Sequence, residues 1–414
     1  MQSCLRKVMN PTLYICGLLV MTTEAADTFE DTEIAFRYKS GAAIRKAHFI
    51  FSVVNHPWIS ALATGAVKVA LGLRLPVEPL IRNTVFELFC GGESIDRTDN
   101  AVARLAKYGV NTILDYSVEG EDSEGDFDRV CAETIRTIEK AAGAKNIPFS
   151  VFKVTGLGAI SLLEKLQHGE VLSADEQAAF ERTKGRVLAI CSKAEALGVP
   201  VLVDAEETWI QNPIDVLAYE MMARFNQTKA IVFNTFQLYR ADGLENLKQA
   251  HAAAAGKYHL GAKVVRGAYM EKERARAEYK GYPSPIHPDK QATDAAFNGS
   301  LEFCVRHRDV IAVMCGSHNE YSNQYLARLM NEAGLDPGYK RIWFAQLYGM
   351  SDNISFTLAD RGYNVAKYMP YGPVRAVMPY LLRRAAENTS VAGQSSRELV
   401  LIRKELKRRK KARR

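Results

Sequence analysis

The chain has 414 residues, 47% of them hydrophobic, 24% charged and 9% aromatic. That is enough apolar material for a large core, which excludes a disordered, collagenous or disulfide-stapled protein. The formal net charge of +7 is concentrated at one end: Arg403–Arg414 holds nine Lys/Arg and one Glu, while the preceding 402 residues carry 45 basic and 46 acidic side chains, a net of −1. The body is nearly neutral and lacks the electrostatic footprint of a nucleic-acid-binding domain. Seven cysteines are scattered with no C-x-x-C pair, a usage that favours a reducing compartment and argues against structural zinc.

In chain order, Leu13–Met21 follows Arg6 and Lys7 and looks like a signal-peptide core, but it is far too short to span a bilayer. Met21 opens a polar stretch, so residues 1–20 read as an upstream extension, with a secretory signal as the alternative. Residues 1–37 form an N-terminal extension, and residues 38–104 predict a helical arm or cap in which Ile44–Val53 and Thr84–Phe89 are apolar enough to pack against a barrel.

Then strand-like runs alternate with helical ones. The strands are predicted at Thr112–Tyr116, Phe149–Val154, Val199–Val203, Ala230–Phe233, Lys263–Val265, Val310–Met314, Ile342–Phe344 and Val365–Tyr368. Helical spacing marks Arg129–Ala142, Ala174–Leu197, Ile214–Phe225, Ala241–Ala255, Asp294–Arg306 and Asn319–Ala333. Asp215 or Pro213 and Asp242 stand near helix starts, and Gly198 comes after a helix as a stop signal. Eight alternating units predict a parallel sheet with right-handed crossovers, and eight strands close into a barrel. The fold class is therefore α/β, a (β/α)8 barrel over residues 105–392. Residues 393–414 form a basic tail, read as solvated, with weak attraction to anionic lipid as the alternative; it lacks the aromatics that base stacking would use.

A barrel places its chemistry at the C-terminal ends of its strands. The polar residues there are Asp115, Lys153, Asp204, Gln237, Arg266 with Tyr269, His318, Gln346 and Tyr368. In the helix after the last strand, Tyr380, Arg383, Arg384 and Glu387 share one face, so Glu387 can hold one guanidinium while the other presents its fork to a planar anion. The turn Arg266-Gly267-Ala268-Tyr269 is small enough for a flat ligand to lie against the main chain. Thr155-Gly156-Leu157-Gly158 mimics the start of a dinucleotide fingerprint, but Ser161 stands where the third glycine belongs. Asp204-Ala205-Glu206-Glu207 offers paired carboxylates, and Asp115, Asp204 and His318 could serve a metal-dependent hydrolase. A tail that contacts nucleic acid while the barrel stays inert is a third class of reading.

Val201–Glu207, Arg266–Tyr269, His318-Asn319, Phe344–Met350 and Tyr380–Asn388 together resemble the proline dehydrogenase family, in order over about residues 105–392. The resemblance implies a distorted barrel that binds FAD non-covalently and oxidises L-proline to Δ1-pyrroline-5-carboxylate by hydride transfer to flavin N5, with electrons passed to a membrane quinone. It implies that Arg383, Arg384 and Lys153 clamp the proline carboxylate, with Glu387 and Asp204 offsetting their charge, Tyr380 beside them, and Tyr368 and Tyr269 walling the ring. The resemblance further implies that a tyrosine at position 368 disfavours 4-hydroxyproline.

For FAD, the resemblance implies contacts from Asp204, Ala205, Gln237, Lys263, Val265, Arg266, Gly267, Ala268, His318, Asn319 and Gln346, with Lys290 toward the phosphates. Asp204 and Lys263 are the candidate catalytic pair, and no metal is implied. The chain has no room for a second dehydrogenase domain, so the next step of proline breakdown is expected on a separate protein. Localisation is expected to be cytoplasmic with peripheral contact at the inner face of the plasma membrane, or mitochondrial if eukaryotic.

Overall fold

The computed structural model describes residues 29–54, 56, 65, 78–118, 122–381 and 394–412. Before the barrel come helix α1 (Thr32–Phe36), helix α2 (Gly41–Val54) and a helical run of Glu78–Ile81, Arg82–Phe86 and Glu87–Phe89 whose middle piece is a π-helix; α3 (Asp99–Ala106) leads into the first strand. The barrel then runs β1 (Val110–Tyr116), α4 (Glu124–Ala142), β2 (Phe149–Phe152), α5 (Ile160–Gln167), α6 (Ala174–Leu197), β3 (Val201–Val203), α7 (Thr208–Phe225), β4 (Val232–Gln237) and α8 (Gly243–Ala254). It continues with β5 (Leu260–Val265), α9 (Met270–Lys280), α10 (Lys290–Arg306), β6 (Ile311–Gly316), α11 (Glu320–Glu332), β7 (Ile342–Leu347), α12 (Asp352–Asp360) and β8 (Val365–Tyr371); a terminal helix α13 spans Gln394–Lys411. The eight strands are parallel and close in chain order, β1 pairing with β8 from Val110↔Val365 to Tyr116↔Tyr371.

All eight predicted strands form, with shifted ends, because β-branched residues suit a sheet buried on both faces. Helix boundaries differ more. α4 begins at Glu124 rather than Arg129 because Ser123 caps it, its side chain accepting from the Asp126 N–H. α7 begins at Thr208, so Pro213 lies inside it and Asp215 is half-buried on its flank, accepting from Gln211 and Asn234. Gly198 ends α6 in the left-handed conformation, φ 67°.

Strand alternation sorts the side chains into two layers. Ile113, Phe149, Val151, Leu202, Phe233, Ala312, Met314, Ala345, Ala366 and Tyr368 fill the barrel interior, while Val110, Leu114, Val201, Val203, Ala262 and Val264 join the larger core under the helices. A third cluster lies outside the barrel, where Phe36, Ile44, Phe51 and Phe89 of the N-terminal arm meet Val377, Tyr380 and Leu381 after β8 and Leu399, Leu401 and Ile402 of α13.

The basic terminus is a docked helix rather than the solvated tail expected from its charge. α13 buries Leu399, Leu401, Ile402 and Glu405, an apolar stripe at helical spacing that the density of charge obscured. Several of its cations meet the acidic start of the described chain: Lys404 pairs with Glu30 at 3.0 Å and Arg408 with Glu33 at 2.8 Å, while Arg408 and Arg409 hold Glu405 at 2.8 and 2.6 Å. No helix among the described residues is long and apolar enough to cross a membrane.

Candidate active site

Four of the interior residues lead, two positions further on, to side chains that build the mouth of the barrel. Ile113 leads to Asp115, Val151 to Lys153, Leu202 to Asp204, and Ala366 to Tyr368, because side chains two apart share a face. Lys263 pairs in register with Met314 on the neighbouring strand and so also points inward. The Lys263 ammonium donates to Asp204 at 2.5 Å and to the Tyr368 hydroxyl at 2.8 Å, and sits 4.6 Å from the Tyr368 ring centroid. Burial, and then the charges of Asp204 and Asp115, push the Tyr368 phenol well above its ordinary range. Tyr368 therefore stays protonated.

Lys153 immediately follows β2. The Tyr269 oxygen, then the carboxyls of Glu206, Asp115 and Asp204, hold its ammonium above the usual lysine range against the opposing effect of burial. Among the described residues no carboxylate lies within 4.0 Å of this ammonium. Asp115 accepts from the Ser117 hydroxyl at 2.7 Å, and burial followed by the Asp204 charge raises its pKa. Burial also raises the Tyr269 phenol, to about 12.

Sequence reading gave Glu206 no role of its own beyond the acidic run. It is almost fully buried, and its two carboxyl oxygens take the Thr155 N–H at 3.1 Å and the Thr155 hydroxyl at 2.5 Å. Burial raises its pKa to about 7, opposed first by the nearby Lys153 charge. Its main-chain carbonyl accepts from Gln237 Nε2 at 2.7 Å. Thr155, which looked like the opening of a nucleotide fingerprint, thus ties the β2 and β3 loops together. Neighbouring Gly158 is close packing, since a Cβ there would stand 2.1 Å from Thr183 Oγ1.

Two predicted cofactor residues lie on the opposite parity. Gln346 follows inward Ala345 and so faces the helices, where its amide donates to the Ser317 carbonyl and Asn323 and accepts from Ser355 at 2.7 Å. The Arg266 guanidinium stacks 4.4 Å over Phe297 and donates to Asp294, Ser317 and Ser322 at 2.8–2.9 Å. Asp294 also takes the exposed Lys290. Gly267, at φ 132°, is required by the Tyr239 ring, which a Cβ would approach to 2.3 Å. Val265 and Gly267 are half-buried and Ala268 is exposed at that turn, and Ala205 is half-buried beside Asp204.

His318 Nδ1 contacts the Ser351 hydroxyl at 2.8 Å, and Asn319 caps α11, its side chain accepting from the Ser322 N–H. Tyr380 packs in the cluster shared with the N-terminal arm. Arg383, Arg384 and Glu387 lie outside the described residues. The metal-hydrolase reading finds no support: no group of three potential ligands gathers among the described residues.

The donor set fits a flat, polar, anionic cofactor. A buried ammonium, Lys263, and the Gln237 amide stand at the mouth, and a second group of cations, Arg266 and Lys290, stands at the start of α10. Helix N-termini and guanidinium groups suit phosphate, and an amide edge suits a heterocycle.

A closed (β/α)8 barrel with cations and carboxyls gathered at the C-terminal ends of its strands has the layout of a barrel enzyme. The family model for proline dehydrogenase matches residues 98–397. The chain is 36% identical over 327 residues to the carbapenem antibiotics biosynthesis protein CarD of Pectobacterium carotovorum subsp. carotovorum, covering 78% of this chain and 84% of that one. It is 34% identical over 388 residues to mitochondrial proline dehydrogenase 1 of Dictyostelium discoideum, covering 82% and 67%. The crystal structure of proline utilization A from Bdellovibrio bacteriovorus inactivated by N-propargylglycine shares the fold, with a TM-score of 0.67 at 20% identity over 91% of this chain and 38% of that one. The chain belongs to the proline dehydrogenase family of oxidoreductases.

Proposed function

We propose that the protein oxidises L-proline to Δ1-pyrroline-5-carboxylate with non-covalently bound FAD, and that a quinone reoxidises the cofactor. When bound, FAD supplies the acceptor for the hydride equivalent leaving C5 of proline. The observation that carries the reading is Lys153, a cation held charged at the mouth with no carboxylate in ion-pair distance among the described residues. A substrate carboxylate would complete it, with Arg383 and Arg384 as the fork and Glu387 and Tyr380 behind them. Tyr269 and Tyr368 would wall the ring, and fixing the carboxylate orients C5, a contribution to rate through positioning.

Lys263 has three donors, two of them given to Asp204 and Tyr368. Its charge would stabilise negative charge that develops beside it, with Asp204 orienting the ammonium. Ala205, Gln237, Val265, Gly267, Ala268, His318 and Asn319 would line the face that FAD takes, with Arg266 and Lys290 toward its phosphates. Gln346 would act through Ser317 rather than directly. Δ1-pyrroline-5-carboxylate passes to a separate dehydrogenase, and quinone reduction calls for peripheral contact with a membrane.

Anaerobic spectroscopy of the purified protein tests this. A flavin band that L-proline bleaches is expected, and a colourless protein that FAD cannot reconstitute would sink the reading.

A further inference from the structure

The mouth has an unusual charge balance. Among the described residues, two ammoniums, Lys153 and Lys263, face three carboxyls, Asp115, Asp204 and Glu206. A carboxylate entering such a site leaves excess negative charge in a medium of low dielectric, and the ordinary remedy is to protonate one acid.

Geometry singles out which one. Asp204 is committed to Lys263 at 2.5 Å, and Glu207 to Lys272 at 2.9 Å. Asp115 and Glu206 both lack a cation within 4.0 Å among the described residues, but Asp115 is half-buried and takes the Ser117 hydroxyl, whereas Glu206 is buried and shares a loop junction with Lys153 through Thr155. The groups facing it are Lys153 and Thr155 from the β2 loop, Tyr269 from the β5 loop, and Glu207 on its own loop. The Thr155 N–H serves either protonation state. The Thr155 hydroxyl donates to a carboxylate and, turned round, accepts from a carboxylic acid, so the pair holds together in both states.

We infer that Glu206 takes up a proton when an anion settles on Lys153, and that it acts as a positioning residue whose charge state sets the affinity of the substrate pocket. The inference rests on the proline reading for the place of the anion. Linkage sets the sign: an acid whose pKa rises on binding makes binding tighter at low pH and weaker as pH climbs past its value in the free enzyme. Neutral Glu206 is the binding-competent form.

The probe is cyclopentanecarboxylate, the proline ring without its nitrogen, so that the ligand brings one titratable group that is ionised throughout. Calorimetric titration of the holoenzyme in two buffers of different ionisation enthalpy counts protons. With Glu206 at about 7 in the free enzyme, uptake of about half a proton is expected at pH 7, rising toward one at pH 8. Glu206→Gln copies the protonated form, since its amide can donate to the Thr155 hydroxyl. Uptake should fall near zero in this variant, and at pH 8 it should bind the probe severalfold more tightly than the wild type, a gain that a merely structural role would not produce. Wild-type binding without proton uptake overturns the inference alone, as does uptake that survives in Glu206→Gln and disappears in Asp115→Asn. Failure of the wild-type holoenzyme to bind the probe at millimolar concentration overturns the proline reading and this inference with it.

Discussion

Lys263 and Lys367 are both buried lysines on barrel strands, and they do opposite jobs. Lys263 points inward at the mouth and donates to two partners, Asp204 and Tyr368. Lys367 sits one residue before inward Tyr368, so its side chain faces out, sealed between the barrel and the terminal elements. There it is engaged on every side, ion-paired with the Asp352 carboxylate at 3.1 Å and donating to the Leu347 carbonyl at 3.4 Å and to the Met350 carbonyl. Asp352 in turn takes Lys39 and the Tyr38 hydroxyl at 2.8 Å, tying the N-terminal arm to the barrel. The chemical type of a buried cation therefore says little about its role. What separates the two is the parity of the strand position and whether a donor is left for a ligand.

Substitution should break this pairing in opposite ways. Lys367→Met leaves Asp352 buried with Lys39 as its remaining cation, and urea unfolding should show a loss of about 3–5 kcal/mol, with the kcat of the folded fraction near wild type. Lys263→Met should do the reverse. Steady-state kinetics should show kcat lowered by about 100- to 1000-fold, the range for losing one preorganised electrostatic donor, with a smaller change in stability. Equal stability losses from the two would end the distinction.

Acid sharpens it next. Burial acts to raise the Asp352 pKa, but Lys39 and Lys367 hold it at about 2. A depressed carboxyl contributes stability above its ordinary range and loses it as pH falls through its folded value. Unfolding monitored from pH 5 down to pH 2 should show about 2 kcal/mol of acid destabilisation that Asp352→Asn lacks. The smallest effect is expected at the rim of the same region. Lys404→Ala removes a largely exposed ion pair to Glu30 and should shift stability by less than about 1 kcal/mol in the same urea assay.

Much of the candidate site's layout was legible in the chain. Asp115, Lys153, Asp204 and Tyr368 were visible as polar residues at strand ends, and the structure adds that each lies two positions past an inward core residue. The same rule would have set Gln346 and Arg266 apart, since each is one residue out of phase. Glu206 was harder to assign, because nothing local distinguishes it from Glu207 next door. One is buried against Thr155 and the other half-buried against Lys272, and that choice depends on loops 50 and more residues away.

By itself the sequence determined the alternation of strands and helices, the count of eight and the set of chemical groups at the strand ends, because periodicity and side-chain type are local properties. Only the tertiary structure decided which ammonium faces the mouth, which carboxyl is buried without a cation, and that the basic terminus docks on the N-terminal arm. Burial and charge pairing are set by neighbours distant in the chain, and a hundred residues of separation leave no local trace.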